Sequence, residues 1–326
     1  MRYYVGVDIG GTKCAVTLGC DRDGELTVLE KSACPTKGAP EAVLERFLYE
    51  INDILKKRAL SYADIACLGI SCGGPLDAAR GIVQSPPNLP GWDHVCVTEF
   101  FKSRTGIPSF LENDANACAV AEWKYGAGKG KKNVIFLTFG TGLGAGLILN
   151  GRLYSGANGN AGEIGHVRLR ADGPIGYGKA GSAEGFCSGG GLAQQGRMAA
   201  ERDPAGASSL LAYAGGLDGI SAKSIAELAE RGDGFCIELY RRCGEMLGET
   251  LSILIDLLNP ERIILGGVYM RAHKLLEEGM RKILSREALS FAVRVCEILP
   301  AELGEQIGDF AALSLAAYND QSNQTM

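Results

Sequence analysis

The sequence predicts an α/β fold divided into two domains. Three observations carry that expectation. Stretches with strand character alternate with stretches of helical spacing along the whole chain. A length of 326 residues is long for a single hydrophobic core, so two domains are the natural division. And one pattern occurs twice: residues 5–18 read VGVDIGGTKCAVTL, and residues 135–149 read IFLTFGTGLGAGLIL. Each is an apolar run, a Gly/Thr turn and a second apolar run, which is the pattern of a β-hairpin with a permissive tip. Aligned on each other, Asp8 matches Thr138, Gly10 matches Gly140 and Gly11 matches Thr141.

Strands are expected at 3–9, 14–19 and 26–32. Val43, Phe47, Ile51, Ile54 and Leu55 recur at helical spacing and predict a helix over 41–58. A short buried strand follows at 65–71. Residues 73–89 are rich in Gly and Pro, and PPNLPGW excludes regular structure. A helix at 97–105 leads to a short strand at 109–111 and a helix at 115–125, for which Asn113 or Asp114 is a suitable N-cap. GAGKGKK at 126–132 reads as a hinge or exposed turn before the second hairpin. Residues 151–191 are dense in glycine, and a loop that long in a compact chain is more often functional than idle. Helices are expected at 190–202, 224–231 and 235–258, then a strand at 262–265 running into Gly266 and Gly267. A helix at 270–284, a strand at 293–298 and a helix at 306–318 follow, with a frayed polar tail at 319–326.

Composition narrows the class. A hydrophobic fraction of 46% and a charged fraction of 22% are those of a soluble globular protein. No stretch approaches a membrane span, and no secretory leader is visible before the first strand. The net charge is −5 with no basic tract, which argues against nucleic acid as the main partner. The eleven cysteines are scattered without a CxxC and read as free thiols in a reducing cytoplasm, mostly as small buried apolar side chains. With three histidines, His94, His166 and His273, a multi-histidine metal site is not expected.

The chemistry gathers in a few places. Glycine tips let backbone N–H groups approach an anion closely, and threonine hydroxyls add donors. Two such tips suggest paired grips on a polyphosphate. Only the first carries a carboxylate, Asp8, and a lysine, Lys13, which suits a site where one side handles a metal ion. Neither hairpin is a P-loop or a Rossmann turn. LENDAN at 111–116 lies at the mouth of a helix, where Asp114 is a candidate general base with Asn113 beside it; the alternative is that the pair only caps the helix. AGEIGH at 161–166 sets Glu163 and His166 among small neighbours, suited to a hydroxyl-rich ligand or, more plainly, to a surface ion pair. Glu184 lies in GSAEGFCSG, in the same glycine-dense region.

These segments resemble the ROK sugar kinases, members of the actin-like, ribonuclease-H-like group of ATP-using proteins. The resemblance covers nearly the whole chain: DIGGTK at 8–13, ISCGGPLDAARG at 70–81, PNLPGW at 87–92, LENDANACAVAEWKYGAGKG at 111–130, FGTGLGAGLILNGRLYSGANGNAGEIGH at 139–166 and ILGGV at 264–268. It implies two actin-like lobes with a nucleotide and sugar cleft between them, one of residues 1–120 joined by a returning helix at 303–320, the other of residues 121–302. It implies Asp114 as the base, Asn88, Asn113, Glu163, His166 and Glu184 as sugar ligands, and Asp8 as the group positioning Mg²⁺ through its waters. Gly10, Gly11, Thr12, Lys13, Thr138, Gly140, Thr141 and Gly142 would grip the phosphates of ATP, and Gly266 and Gly267 would carry the adenosine. The implied activity is an ATP-dependent hexose kinase, most similar to glucokinase, in a cytoplasmic homodimer.

Two departures stand out. The family commonly binds zinc with the GH histidine and three cysteines of a CxCGxxGC loop. Here that stretch is GYGKAGSAE, with Gly176, Gly178 and Ser182 in place of the cysteines, so no structural zinc is expected and packing of Ile175, Tyr177 and Phe186 should order the loop. The family's repressors carry an N-terminal DNA-binding module, whereas DIGGTK here begins at residue 8. Two competing readings are a sugar-binding regulatory protein with little kinase activity, and an actin-like filament or chaperone ATPase. The intact Asp114 and both hairpins speak against the first, LENDAN and AGEIGH against the second.

Overall fold

A computed structural model describes residues 1–324. The chain divides into two compact units. The first comprises Met1–Gly130, Leu153–Ala161 and the chain from Glu302 onward; the second comprises Lys131–Arg152 and Gly162–Ala301.

The first unit opens with an antiparallel meander of β1 (Arg2–Ile9), β2 (Lys13–Arg22) and β3 (Glu25–Pro35). Helix α1 (Pro40–Lys57) crosses back, and β4 (Ile65–Cys72) lies parallel to β1. A small ribbon of β5 (Leu76–Asp77), β6 (Ile82–Val83) and β7 (Val95–Cys96) precedes α2 (Val97–Thr105), β8 (Ser109–Asn113) and α3 (Asp114–Tyr125). The main sheet runs β3-β2-β1-β4-β8. One face is buried under α1, α2 and the ribbon, where Phe47, Ile51, Phe101 and Trp92 pack with Val7, Leu68 and Ile70. The other face receives the C-terminal helix (Ile307–Gln324), whose Leu313, Ala316 and Ala317 pack with Tyr4 and Cys67. That helix approaches so closely that a Cβ on Gly69 would lie 2.1 Å from the Ala312 carbonyl oxygen. Tyr4 Oη donates to Asp320 at 2.9 Å, and Arg2 pairs with the same carboxylate.

The second unit repeats the design. β9 (Val134–Phe139) and β10 (Leu143–Leu149) form the second hairpin, with β11 (Arg152–Leu153) at the edge. The glycine-dense stretch then makes a 3-10 turn at Ile164–His166, a small hairpin of β12 (Ile175–Gly176) and β13 (Lys179–Ala180), and α4 (Ala183–Phe186). Helices α5 (Gly189–Arg202), α6 (Ser208–Ala214), α7 (Ala222–Glu230) and α8 (Gly234–Leu258) follow. They lead to β14 (Arg262–Leu265), α9 (Val268–Glu287), α10 (Ser290–Val293) and β15 (Glu297–Pro300). The sheet order is β11-β10-β9-β14-β15, with β14 parallel to both β9 and β15. Three antiparallel strands followed by two parallel ones, in the same spatial order in both units, is the actin-like, ribonuclease-H-like arrangement.

Local pattern and structure part company in several places. Residues 73–89 are not wholly irregular, because the β5–β6 pairing survives between the prolines. The short helix α6 has no counterpart among the elements that the sequence predicts. The strand expected at 293–298 is a helical turn, then a strand at Glu297–Pro300, because pairing with Arg262–Leu265 sets the register; Val295 is left 57% exposed. The tail expected to fray from 319 stays helical to Gln324, with Asp320 held by Tyr4 and Arg2; residues 325–326 of that expectation lie outside the described residues. The first unit runs past residue 120 to Gly130 and recruits Leu153–Ala161. All eleven cysteines are free, and no helix among the described residues is long and apolar enough to cross a membrane.

Candidate functional site

In the first unit, the β1–β2 turn is as tight as backbone allows. A Cβ on Gly10 would lie 2.5 Å from the Lys13 carbonyl oxygen, and one on Gly11 would lie 2.6 Å from that of Asn88. Asn88 is therefore seated on the hairpin tip, which nothing in its local sequence announced. The turn is braced by Thr36, missed in the sequence, whose hydroxyl donates to the Gly10 carbonyl at 2.6 Å. Thr12 and Lys13 stand exposed at the tip.

Asp8 sits near the end of β1, opposite Ser71 of β4. Asp114 opens α3. Asn113 is the N-cap: its Oδ1 accepts the Ala115 amide at 2.9 Å, and Asp114 Oδ1 accepts the same amide at 2.8 Å. Asn113 and Asp114 thus share one capping amide, which leaves Asp114 Oδ2 outside the cap. Asp114 reaches solvent, yet the protein around it removes enough water to raise its pKa, against the pull of the Ala115 amide. Burial first, then repulsion from Asp114, push the Asp8 pKa up to about 6, opposed by a hydrogen bond from Ser71. The cation acting on Asp8, Lys31, is itself paired with Asp309 at 2.5 Å. Asp8 and Asp114 are thus two desolvated carboxylates of the hard oxygen type that a divalent cation takes.

Two supporting carboxylates stand outside the site residues that the sequence predicts. Glu112 is buried and accepts the Asn113 amide at 2.9 Å and Asn116 Nδ2 at 3.0 Å, with Ser155 Oγ at 3.5 Å. Its signal was the extra acid in LENDAN. Glu122 is fully buried and accepts three backbone amides, Ala127 at 2.8 Å, Leu303 at 2.9 Å and Glu302 at 3.3 Å. It ties both the outgoing and the returning chain to the helix that Asp114 begins.

In the second unit, Gly140 N–H donates to the Gly142 carbonyl at 3.0 Å, closing the β9–β10 tip. The Thr138 hydroxyl is occupied inside the hairpin, accepting the Gly144 amide at 2.9 Å. Gly266 donates to Leu137 at 2.9 Å, and Gly267, at φ 63°, lies so close that a Cβ would meet the Phe139 carbonyl oxygen at 2.1 Å. The glycine pair therefore rests on the root of this hairpin.

The AGEIGH turn is laid along β10, with the Ala145 amide donating to Gly162 at 3.1 Å. Glu163 and His166 are exposed on it. The His166 ring meets Tyr177 edge-on at 6.2 Å, and Lys179 Nζ donates to the His166 carbonyl at 2.7 Å. Glu184 begins α4 and accepts the Leu143 amide at 3.0 Å. The loop before it does not fit zinc. Gly176 and Gly178 offer no side chain, Ser182 Oγ caps α4 by accepting the Gly185 amide at 3.2 Å, and the Cys187 thiol is buried toward Cys243. No cluster of three or more metal-ligating side chains exists among the described residues. Nor is the loop ordered as expected by Ile175 and Tyr177, which are 56% and 70% exposed. Hydrogen bonds around Ser182 and Gly181 hold it, with Phe186 packed against Gly173.

Two units of one α/β topology, each opening with a glycine-tipped hairpin, one also bearing two desolvated carboxylates, define an actin-like protein built to handle phosphates. The ROK family profile matches residues 4–318, and the chain belongs to the ROK family. It is 34% identical to a glucokinase of Streptomyces coelicolor over 323 residues, 98% of this chain and 99% of that protein. It is 31% identical to a glucokinase of Thermotoga maritima, covering 95% and 96%. A ROK family glucokinase from Streptomyces griseus, solved with glucose and AMPPNP, superposes with a TM-score of 0.77 at 32% identity, covering 97% of this chain and 99% of that one.

Proposed function

We propose that this chain is an ATP-dependent hexose kinase with glucokinase-like preference. The observation that carries the reading is that Asp8, beside the first glycine hairpin, and Asp114, at the start of α3, are both desolvated carboxylates with raised pKa values. Phosphoryl transfer needs positioning and charge neutralisation more than covalent chemistry. Asp114, with its pKa raised toward the working range, takes the proton of the attacking hydroxyl. Asn113 keeps its amide nitrogen for the sugar while its oxygen caps α3; Asn88, Glu163, His166 and Glu184 supply further hydroxyl partners. Asp8 would hold Mg²⁺ through its waters, and the bound ion would supply charge neutralisation for the phosphates of ATP. The backbone amides of the two tips, with Thr12, Lys13 and Thr141, receive phosphate oxygens, Thr138 braces its hairpin from inside, and Gly266 and Gly267, seated on the root of the second hairpin, carry the adenosine.

The same reading includes a cytoplasmic homodimer. The deciding experiment is ADP release measured across a panel of aldoses, ketoses and amino sugars, with Asp114→Asn beside the wild type. Sugar-dependent ADP release, greatest with glucose and lost in the variant, is expected. Wild-type protein silent on every sugar overturns the proposal.

A further inference from the structure

The segment that carries Glu184 is bonded to the second phosphate hairpin at three points. Glu184 Oε2 accepts the Leu143 amide at 3.0 Å. The Gly189 amide donates to the Gly140 carbonyl at 2.8 Å, and the Gly190 amide to that of Thr141 at 3.3 Å. The contact is close enough to dictate sequence on the hairpin side: a Cβ on Gly142 would lie 2.6 Å from Glu184 Oε2. On the other side, Gly176 and Gly165 press on the base of the same side chain, where a Cβ would meet Glu184 Cβ at 2.7 and 3.3 Å. Glu184 is thus held between the sugar-facing loop and the nucleotide hairpin. Among the described residues no lysine or arginine pairs with it. A purely structural acceptor for one amide does not require a charge.

We infer that Glu184 couples the two substrates, binding a sugar hydroxyl through Oε1 while Oε2 holds the phosphate hairpin in its gripping shape. The inference rests on the hexose-kinase reading above. A hydroxyl donating to Oε1 fixes the carboxylate, which fixes the Leu143 amide and with it the tip at Gly140, Thr141 and Gly142. Phosphate on the tip fixes the carboxylate in return. Linkage makes the effect reciprocal, so each substrate tightens the other by the same factor. Glu184 is a positioning residue toward the nucleotide and a ligand toward the sugar.

Calorimetric titration separates this from a structural role. D-Glucose is titrated with and without Mg·AMPPNP, and AMPPNP with and without D-glucose. In wild type each ligand should tighten the other by about 5-fold or more. Gly142→Ala attacks the link from the hairpin side. The added methyl meets the far end of a flexible side chain, so the fold survives and the carboxylate swings away. D-Glucose affinity without nucleotide should fall about 10-fold, although residue 142 belongs to the hairpin. Glu184→Gln keeps an acceptor for Leu143, so AMPPNP affinity without sugar should stay within about 2-fold while the coupling factor collapses toward 1. Glu184→Ala should weaken AMPPNP as well. Wild-type D-glucose affinity in Gly142→Ala, or an unchanged coupling factor in Glu184→Gln and Glu184→Ala, overturns the inference and leaves the kinase reading standing. Wild type that binds no D-glucose and releases no ADP with any sugar overturns both.

Discussion

Asp8 and Asp114 have different tasks in the proposed mechanism, and experiment can separate them. Asp114→Asn removes a proton acceptor but keeps an oxygen for hydrogen bonding. Turnover should fall about 10²–10⁴-fold while D-glucose affinity changes far less, and steady-state rates read beside calorimetry check this. A variant with full turnover would remove Asp114 from the chemistry. Asp8→Ala should cripple Mg·ATP use and leave sugar binding nearly intact. If sugar binding fails too, Asp8 is a structural residue. Asp8 also predicts a pH effect on the ligand-free protein. Its folded pKa of about 6 lies above the ordinary 3.8. Between these values the folded chain binds more protons than the unfolded chain. The stabilisation is therefore complete below the lower value and lost as pH rises through the higher one. Thermal melts of wild type and Asp8→Asn should coincide most nearly at low pH, with the variant melting higher above pH 6. A gap that widens as pH falls would contradict this sign.

At the scale of elements, hydrogen bonds order the loop leading to α4. Ser182 is fully buried, caps α4 and faces the Gly176 carbonyl. Purified protein should contain no stoichiometric zinc by elemental analysis, and chelation should leave activity unchanged. One zinc per chain, lost together with activity, would refute it. Helix α3 depends instead on Glu122. In Glu122→Ala, three backbone amides lose their acceptor inside the protein, at about 1–3 kcal/mol for each one left unsatisfied. Urea unfolding should show a lowered midpoint, well outside the about 0.5 kcal/mol typical of surface changes. A neutral result would mean that water replaces the carboxylate there.

At the scale of the molecule, the first unit is completed by the last residues of the chain. Removing everything from Glu302 would expose Tyr4, Cys67 and Leu26 on one sheet face and strip Glu122 of two partners. Such a truncation should be insoluble or lack cooperative unfolding, as judged by circular dichroism during a melt. A truncated chain that melts cooperatively at the wild-type temperature would show that the helix is dispensable.

Much of this architecture is written locally. Alternating apolar residues and a Gly/Thr turn specify each hairpin, because side chains two apart share a face and only small residues permit the turn. The repeat of that pattern announced the two α/β units, and LENDAN announced a capped helix with a spare carboxylate. What sequence does not hold is which distant groups meet. Asn88 against Gly11, Glu122 against Leu303, and Glu184 against Leu143, 41 residues away, follow from loop closure and from which carboxylate finds an unsatisfied amide. Val295 and residues 319–324 show the same limit from the other side: pairing with β14 and a buried bond to Tyr4 overrode local preference. Local periodicity is set by neighbours in the chain, whereas these contacts are set by the free energy of the whole packed unit.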